Sequence, residues 1–546
     1  MIFRRKFTGL KCMILIFAVL FLSGITVGKA LSKEGVKDTL VIGKPATPPG
    51  IDYEYMVHTE MWNIAQNVHD TGLHFKVVPS SDPKAQGILT VDVSDLENRL
   101  FESYEISPDW KTFTYHLRRG VKSAAGNELT TKDILYKWER GVGIGAFGPF
   151  FLDVFGIDSR DPKEFLTIVD DYTFKMQTDR PNYILNIGQA NAYQPIPDSA
   201  QIKKHATKDD PWAKDWVAHH GGGFGPYYVE EWEAGQQVVL RSNPNYYMNK
   251  VPIDKVIFKV IPESSIRVAM IRNGTIDVAT ALSPREVKAL EGAPGVKMVG
   301  IPSNYTIWLI LNQKVFKPFA NKLVRQALNY AAPRADIVNT AFLGYAKEWH
   351  TAIPSFYPGA TGDEDWPYKY DLKKAKELLA EAGYPDGFEV ELSYDAAYSV
   401  DETIAVLLQT NYEKIGVKVK LRKKPSASFA DGVQSRQTAF SIWRDMPLSP
   451  DPNYACSLNY KGDAYANYGN YSNPTVDKML NEGKSIVDKK ARFAYHRKIV
   501  RELIDDPPCV FLVEPYYTIA LRENVEGWNW DFCQDTDLSK VYFAAE

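Results

Sequence analysis

Few residues of this 546-residue chain stand at a spacing suited to covalent chemistry. A serine hydrolase would need a Gly-x-Ser-x-Gly elbow and a zinc protease a His-Glu-x-x-His helix; neither pattern occurs. His219-His220, followed by three glycines, could suggest a metal site. Adjacent histidines on a loop rarely aim at one ion, and no Cys or carboxylate stands at ligand spacing. Both are therefore expected as solvent-facing loop residues. Arg118-Arg119 reads as a solvated or salt-bridged turn. The expectation is a protein that is not an enzyme, with no catalytic residue, no metal and no cofactor.

The N-terminus sets the compartment. Arg4, Arg5, Lys6 and Lys11 precede an unbroken apolar run from Met13 to Leu22, and Gly28-Lys29-Ala30 offers small residues at the −3 and −1 positions. This is the pattern of a secretory signal peptide over residues 1–30, cleaved near Ala30. Cys12 lies before the apolar run, so no lipid-accepting cysteine follows it, and a free periplasmic protein is expected. Cleavage removes Arg4, Arg5, Lys6, Lys11 and Lys29 and no acidic residue, leaving a net charge of about −8. That charge, without a basic stripe, argues against a nucleic-acid partner. Export permits one disulfide among Cys456, Cys509 and Cys533 and leaves an odd thiol; the sequence does not pair them.

Elements able to position a site are legible along the chain. Thr112–Leu117 alternates large and polar side chains, the period of a half-buried strand. A helix follows from Thr130-Thr131-Lys132-Asp133, with Ile134, Leu135 and Trp138 as its apolar stripe. Strands are expected at Thr39–Ile42, Tyr227–Glu231, Gln237–Arg241, Val256–Ile261, Thr306–Asn312, Phe388–Ser393 and Val417–Leu421. Helices are expected at Asn321–Ala332 and Asp371–Ala382, the second with Asp371 as N-cap and Gly383 as its stop. Alternation of this kind argues an α/β fold, and the length argues more than one core.

These segments resemble the extracellular solute-binding proteins of family 5. The resemblance runs through Leu100-Phe101-Glu102-Ser103-Tyr104, Trp110–Arg140, Gly223-Phe224-Gly225-Pro226-Tyr227, Asn243-Pro244-Asn245-Tyr246-Tyr247, Arg272–Asp277, Val324–Ala331, Ala375–Gly387 and Tyr471-Ser472-Asn473-Pro474, in family order. It implies a two-lobed periplasmic-binding-protein fold of type II, of the large cluster with a third, extra domain. Lobe I would comprise 31–85, 195–297 and 514–546, the extra domain 86–194, and lobe II 298–513. It further implies a solute-binding, monomeric component of an ABC importer that encloses a peptide-like solute between its lobes and delivers it to membrane permease subunits. An opine, an oligosaccharide or a chelated metal would be the alternative solutes. A secreted hydrolase or a signalling-only receptor is the more distant reading.

The same resemblance draws attention to Phe440–Tyr460. In peptide-binding members an aspartate shortly after a tryptophan pairs with the ligand's α-ammonium group, and the matching residues here are Trp443 and Asp445. An enclosed carboxylate favours a cation, and an aromatic wall adds apolar or cation–π contact. One residue, Arg444, separates them where two are usual. It is either a further ligand contact or the internal neutraliser of Asp445. Tyr468 and Tyr471 belong either to the cleft or to ordinary packing.

Overall fold

The structure is a computed structural model that describes residues 37–56, 59–191, 193–531 and 536–545. The expected signal peptide and Cys533 lie outside the described residues. Among those described, no helix is long and apolar enough to cross a membrane.

Two large sheets organise the chain. The first has seven strands in the order Val296–Ile301, Tyr517–Arg522, Val278–Ala279, Thr39–Lys44, Lys255–Val260, Gln237–Ser242 and Tyr227–Glu233. Thr39–Lys44 runs parallel to both of its neighbours, and the remaining pairs are antiparallel. The second has six strands in the order Ala346–Glu348, Cys509–Pro515, Thr306–Leu311, Phe440–Asp445, Phe388–Asp395 and Val417–Lys424. A separate four-stranded sheet contains Thr112–Leu117, whose Phe113, Tyr115 and Leu117 are buried as the alternation requires. The helix after it spans Thr131–Ile144, and the Asp133 carboxylate accepts the Thr130 N–H at 2.8 Å.

The second sheet owes its burial to its helices. Asn321 caps Lys322–Tyr330 through Leu323 N at 2.9 Å, and Asp371 caps Leu372–Glu381 through Lys374 N at 2.9 Å. Gly383, at φ +88°, follows the C-cap of the latter in the left-handed conformation that glycine adopts without a Cβ penalty. Val324, Leu328, Leu378, Leu379 and Leu408 pack on Ile307, Leu309, Phe440 and Ile442, which line one face of the sheet. Trp308, Ile310, Cys509 and Phe511 point to the opposite face and join the larger core.

The chain passes between the two sheets twice, from Ile301 to Thr306 and from Pro515 to Tyr517. Ser303 Oγ donates to the Pro515 carbonyl at 2.9 Å, tying the crossings together. His219 and His220 correct the loop expectation. They end the helix Lys214–His220, and their Nδ1 atoms lie 3.1 and 2.9 Å from the Asp215 and Trp216 carbonyls. His220 stacks on Trp216, so the pair completes a helix terminus.

Candidate ligand-binding cleft

Trp443, Arg444 and Asp445 close the Phe440–Asp445 strand, and strand geometry separates them. Successive side chains alternate faces, so Trp443 and Asp445 share one face while Arg444 takes the other. Directly opposite residues of an antiparallel pair share a face. Trp308 therefore joins Trp443, and Thr306 joins Asp445. The result is an aromatic surface ending in a carboxylate. Tyr468 packs edge-on against Trp443 at 5.2 Å, Phe429 lies 5.9 Å from it, and Trp349 lies 6.0 Å from Trp308. A cavity beside this surface is lined by Trp308, Asn459, Tyr460, Tyr468 and Cys509, among others.

Asp445 is half-buried, and burial raises its carboxyl above the usual carboxylate range. Its side-chain partner is neutral: Asn459 Nδ2 donates to Oδ2 at 3.3 Å. Among the described residues no Lys, Arg or His lies within 4 Å of it to form an ion pair. Asn459 is placed by the helix Pro452–Tyr460, which Asp451 caps through Tyr454 N at 2.9 Å. The sequence Asp451-Pro452 thus starts a helix whose last turn touches the carboxylate, since Pro at the first position needs no N–H partner.

Arg444 does not neutralise Asp445. Its guanidinium, on the opposite face, pairs with Asp401, and the Tyr398 ring lies 3.5 Å from it. Asp401 stands in the first turn of the helix Ser399–Glu413 and is fully buried. Burial lifts its carboxyl to about 6 despite the guanidinium. The physical reason for the correction is the two-residue repeat of a strand: neighbours in sequence cannot meet across a sheet. Tyr471, weighed for the cleft, is buried with its hydroxyl 3.2 Å from Asp506. Cys456 and Cys509 are buried free thiols, and burial pushes both up. Thr306, Trp308, Asn459 and Tyr460 escaped sequence reading because only strand register and the Asp451-capped helix bring them to Asp445.

Comparison with known proteins decides the family. Residues 95–467 match the family described as bacterial extracellular solute-binding proteins, family 5 Middle. The chain belongs to family 5 of the bacterial extracellular solute-binding proteins. Family 5 relatives align over nearly the whole sequence. A probable D,D-dipeptide-binding periplasmic protein of Escherichia coli is 28% identical over 499 residues, covering 90% of this chain and 91% of the relative. An oligopeptide-binding protein of Bacillus subtilis is 25% identical over 553 residues, covering 96% and 97%. Among solved family 5 folds, the Helicobacter pylori periplasmic binding protein DppA in complex with the peptide STSA superposes with a TM-score of 0.78. It is 25% identical and covers 93% of this chain and 99% of that one. The fold is therefore the two-lobed binding-protein fold, and the chain is a solute-binding protein.

Proposed function

We propose that this protein binds a peptide-like solute with a free amine between its two lobes and hands it to the permease subunits of an ABC importer. The observation that carries the reading is the Asp445 carboxylate. It ends the aromatic surface of Trp308 and Trp443, half-buried, with an amide and, among the described residues, no cation beside it. A carboxylate in such a place gains most from a ligand ammonium, which supplies both charge and hydrogen-bond donors. Trp443, opposite Trp308, forms the wall along which the ligand lies. Arg444, held by Asp401 behind the sheet, supports the strand and does not contact the solute.

Names of the relatives point the same way, since dipeptide and oligopeptide binding recur among them. They also support the periplasm as the working compartment and a binding role without catalysis. Lobe I is read onto the seven-stranded sheet, lobe II onto the six-stranded sheet, and the extra domain onto the four-stranded sheet. The lobe boundaries then fall in the crossings at 302–305 and 516, because the strands Val296–Ile301 and Cys509–Pro515 run through the expected boundaries.

Calorimetry with a tetrapeptide and its N-acetylated form tests the proposal. The free amine should bind with an affinity that Asp445→Asn lowers about tenfold to a hundredfold, the scale of a lost charge-assisted hydrogen bond. Equal affinity for the two peptides, or an Asp445→Asn variant that binds as the wild type does, would refute it.

A further inference from the structure

The Cys509–Pro515 strand carries one more residue than its pairing needs. Ile307 pairs with Val513 and Trp308 with Phe511, so Leu512 is an inserted residue. Leu512 and Val513 consequently both face the helix-covered core. Val513 pairs with Ile307 and faces the helix-covered core, so Glu514 takes the face that carries Phe511, Trp308 and Asp445; an unbroken alternation running through Leu512 would instead set it among buried aliphatic side chains. Continuing the Ile307–Val513 register by one residue sets Glu514 beside Thr306, whose other neighbour is Asp445. Two carboxylates thus flank one threonine on the same face of the sheet, about 10 Å apart between Cα atoms by the spacing of three adjacent strands.

Glu514 is 5% exposed. Its Oε1 accepts the Ser355 N–H at 2.6 Å, and Ser355 is its one hydrogen-bonding partner through the side chain among the described residues. The nearest cations are engaged elsewhere. Lys347, directly opposite on the Ala346–Glu348 strand, binds Asp82 at 3.0 Å. His350 is held between Glu348 and Asp363 at 3.1 and 2.6 Å. A carboxyl so buried and so weakly compensated either keeps a proton or receives a cation from outside.

We propose that Glu514 is a second specificity-determining carboxylate of this cleft, selecting solutes whose first residue carries a side-chain amine in addition to the α-amine. The proposal rests on the reading that Asp445 takes the α-amine. A diamino first residue places its two ammonium groups on the two sides of Thr306, and the aromatic surface covers the methylenes between them. Burial lifts the Glu514 carboxyl to about 7, so the free protein holds that proton part of the time at neutral pH. The arriving side-chain ammonium stabilises the carboxylate, and the proton leaves to solvent. No covalent step is involved.

The test compares Lys-Ala-Ala-Ala with norleucine-Ala-Ala-Ala, which has the same reach and lacks the second amine. Calorimetry at pH 7 in two buffers of different ionisation enthalpy gives affinity and proton release together. The lysine peptide should bind about tenfold tighter and release a fraction of a proton more than the norleucine peptide does. Glu514→Gln should erase both differences while leaving the affinity for the norleucine peptide within about threefold. Equal affinities in the wild type overturn the proposal. So does a Glu514→Gln variant that weakens both peptides alike, because Glu514 would then only hold the Ser355 loop. Comparing wild-type affinities needs no variant, so a folding defect in Glu514→Gln cannot hide the answer. The Asp445 reading fails separately: N-acetyl-norleucine-Ala-Ala-Ala would then bind as tightly as the unacetylated peptide.

Discussion

Trp308 and Trp443 stand directly opposite one another on adjacent antiparallel strands, and both turn to the same face of the six-stranded sheet. One same-face pair further along, the ladder sets Thr306 opposite Asp445. An apolar wall and a charged end are therefore fixed to one rigid element, with no loop needed to bring them together.

Trp443 is the more exposed half of that pair and the easier one to remove. Trp443→Ala strips a ring that touches Tyr468 and Phe429. Peptide affinity in calorimetry should fall roughly tenfold, and the fold should lose about 1–3 kcal/mol in denaturant unfolding.

Asp451 acts on the site through a helix. Asp451→Ala removes the cap at Tyr454 N and should cost about 1 kcal/mol in urea unfolding. Because Asn459 in the last turn of that helix donates to Asp445, peptide affinity should fall as well. Asn459→Ala should reproduce the loss of affinity with a smaller loss of stability.

The Arg444–Asp401 pair should behave as structure behind the sheet. Arg444→Met leaves the buried Asp401 carboxylate unpaired and should cost about 3 kcal/mol. Arg444→Met with Asp401→Leu should recover much of that cost. A double-mutant cycle by chemical denaturation, with peptide affinity measured beside it, separates this role from ligand contact.

Glu514 also fixes a pH dependence of stability. Its carboxyl stands at about 7 in the folded chain against an ordinary 4.5, because burial disfavours the charge. Between those values the folded state holds a proton that the unfolded state has released. The stabilisation is complete below about 4.5 and is lost as pH rises through about 7. Thermal unfolding without peptide should show on the order of 1–3 kcal/mol of lost stability across that window attributable to this group. Glu514→Gln should flatten the corresponding part of the curve.

What the sequence determined by itself was local. Asp371 and Gly383 mark the two ends of a helix because a capping carboxylate and a left-handed stop act within a turn. The alternation of Thr112–Leu117 carries its own burial, since the period of a strand is two. The ordered series of such segments also sufficed for the family, and Trp443 and Asp445 were legible as candidates on that basis. Tertiary structure decided everything that depends on which strands are neighbours. Arg444 meets Asp401, 43 positions away, and not the adjacent Asp445. Thr306 and Trp308 reach the site through a register that no local pattern encodes. The Ile307–Val513 register decides which face Glu514 takes, with Leu512 absorbed in a bulge, and a bulge exists only relative to the strand it opposes. Short-range hydrogen bonding and periodicity are written in consecutive residues; pairing partners, faces and enclosed charge arise only when distant segments come together.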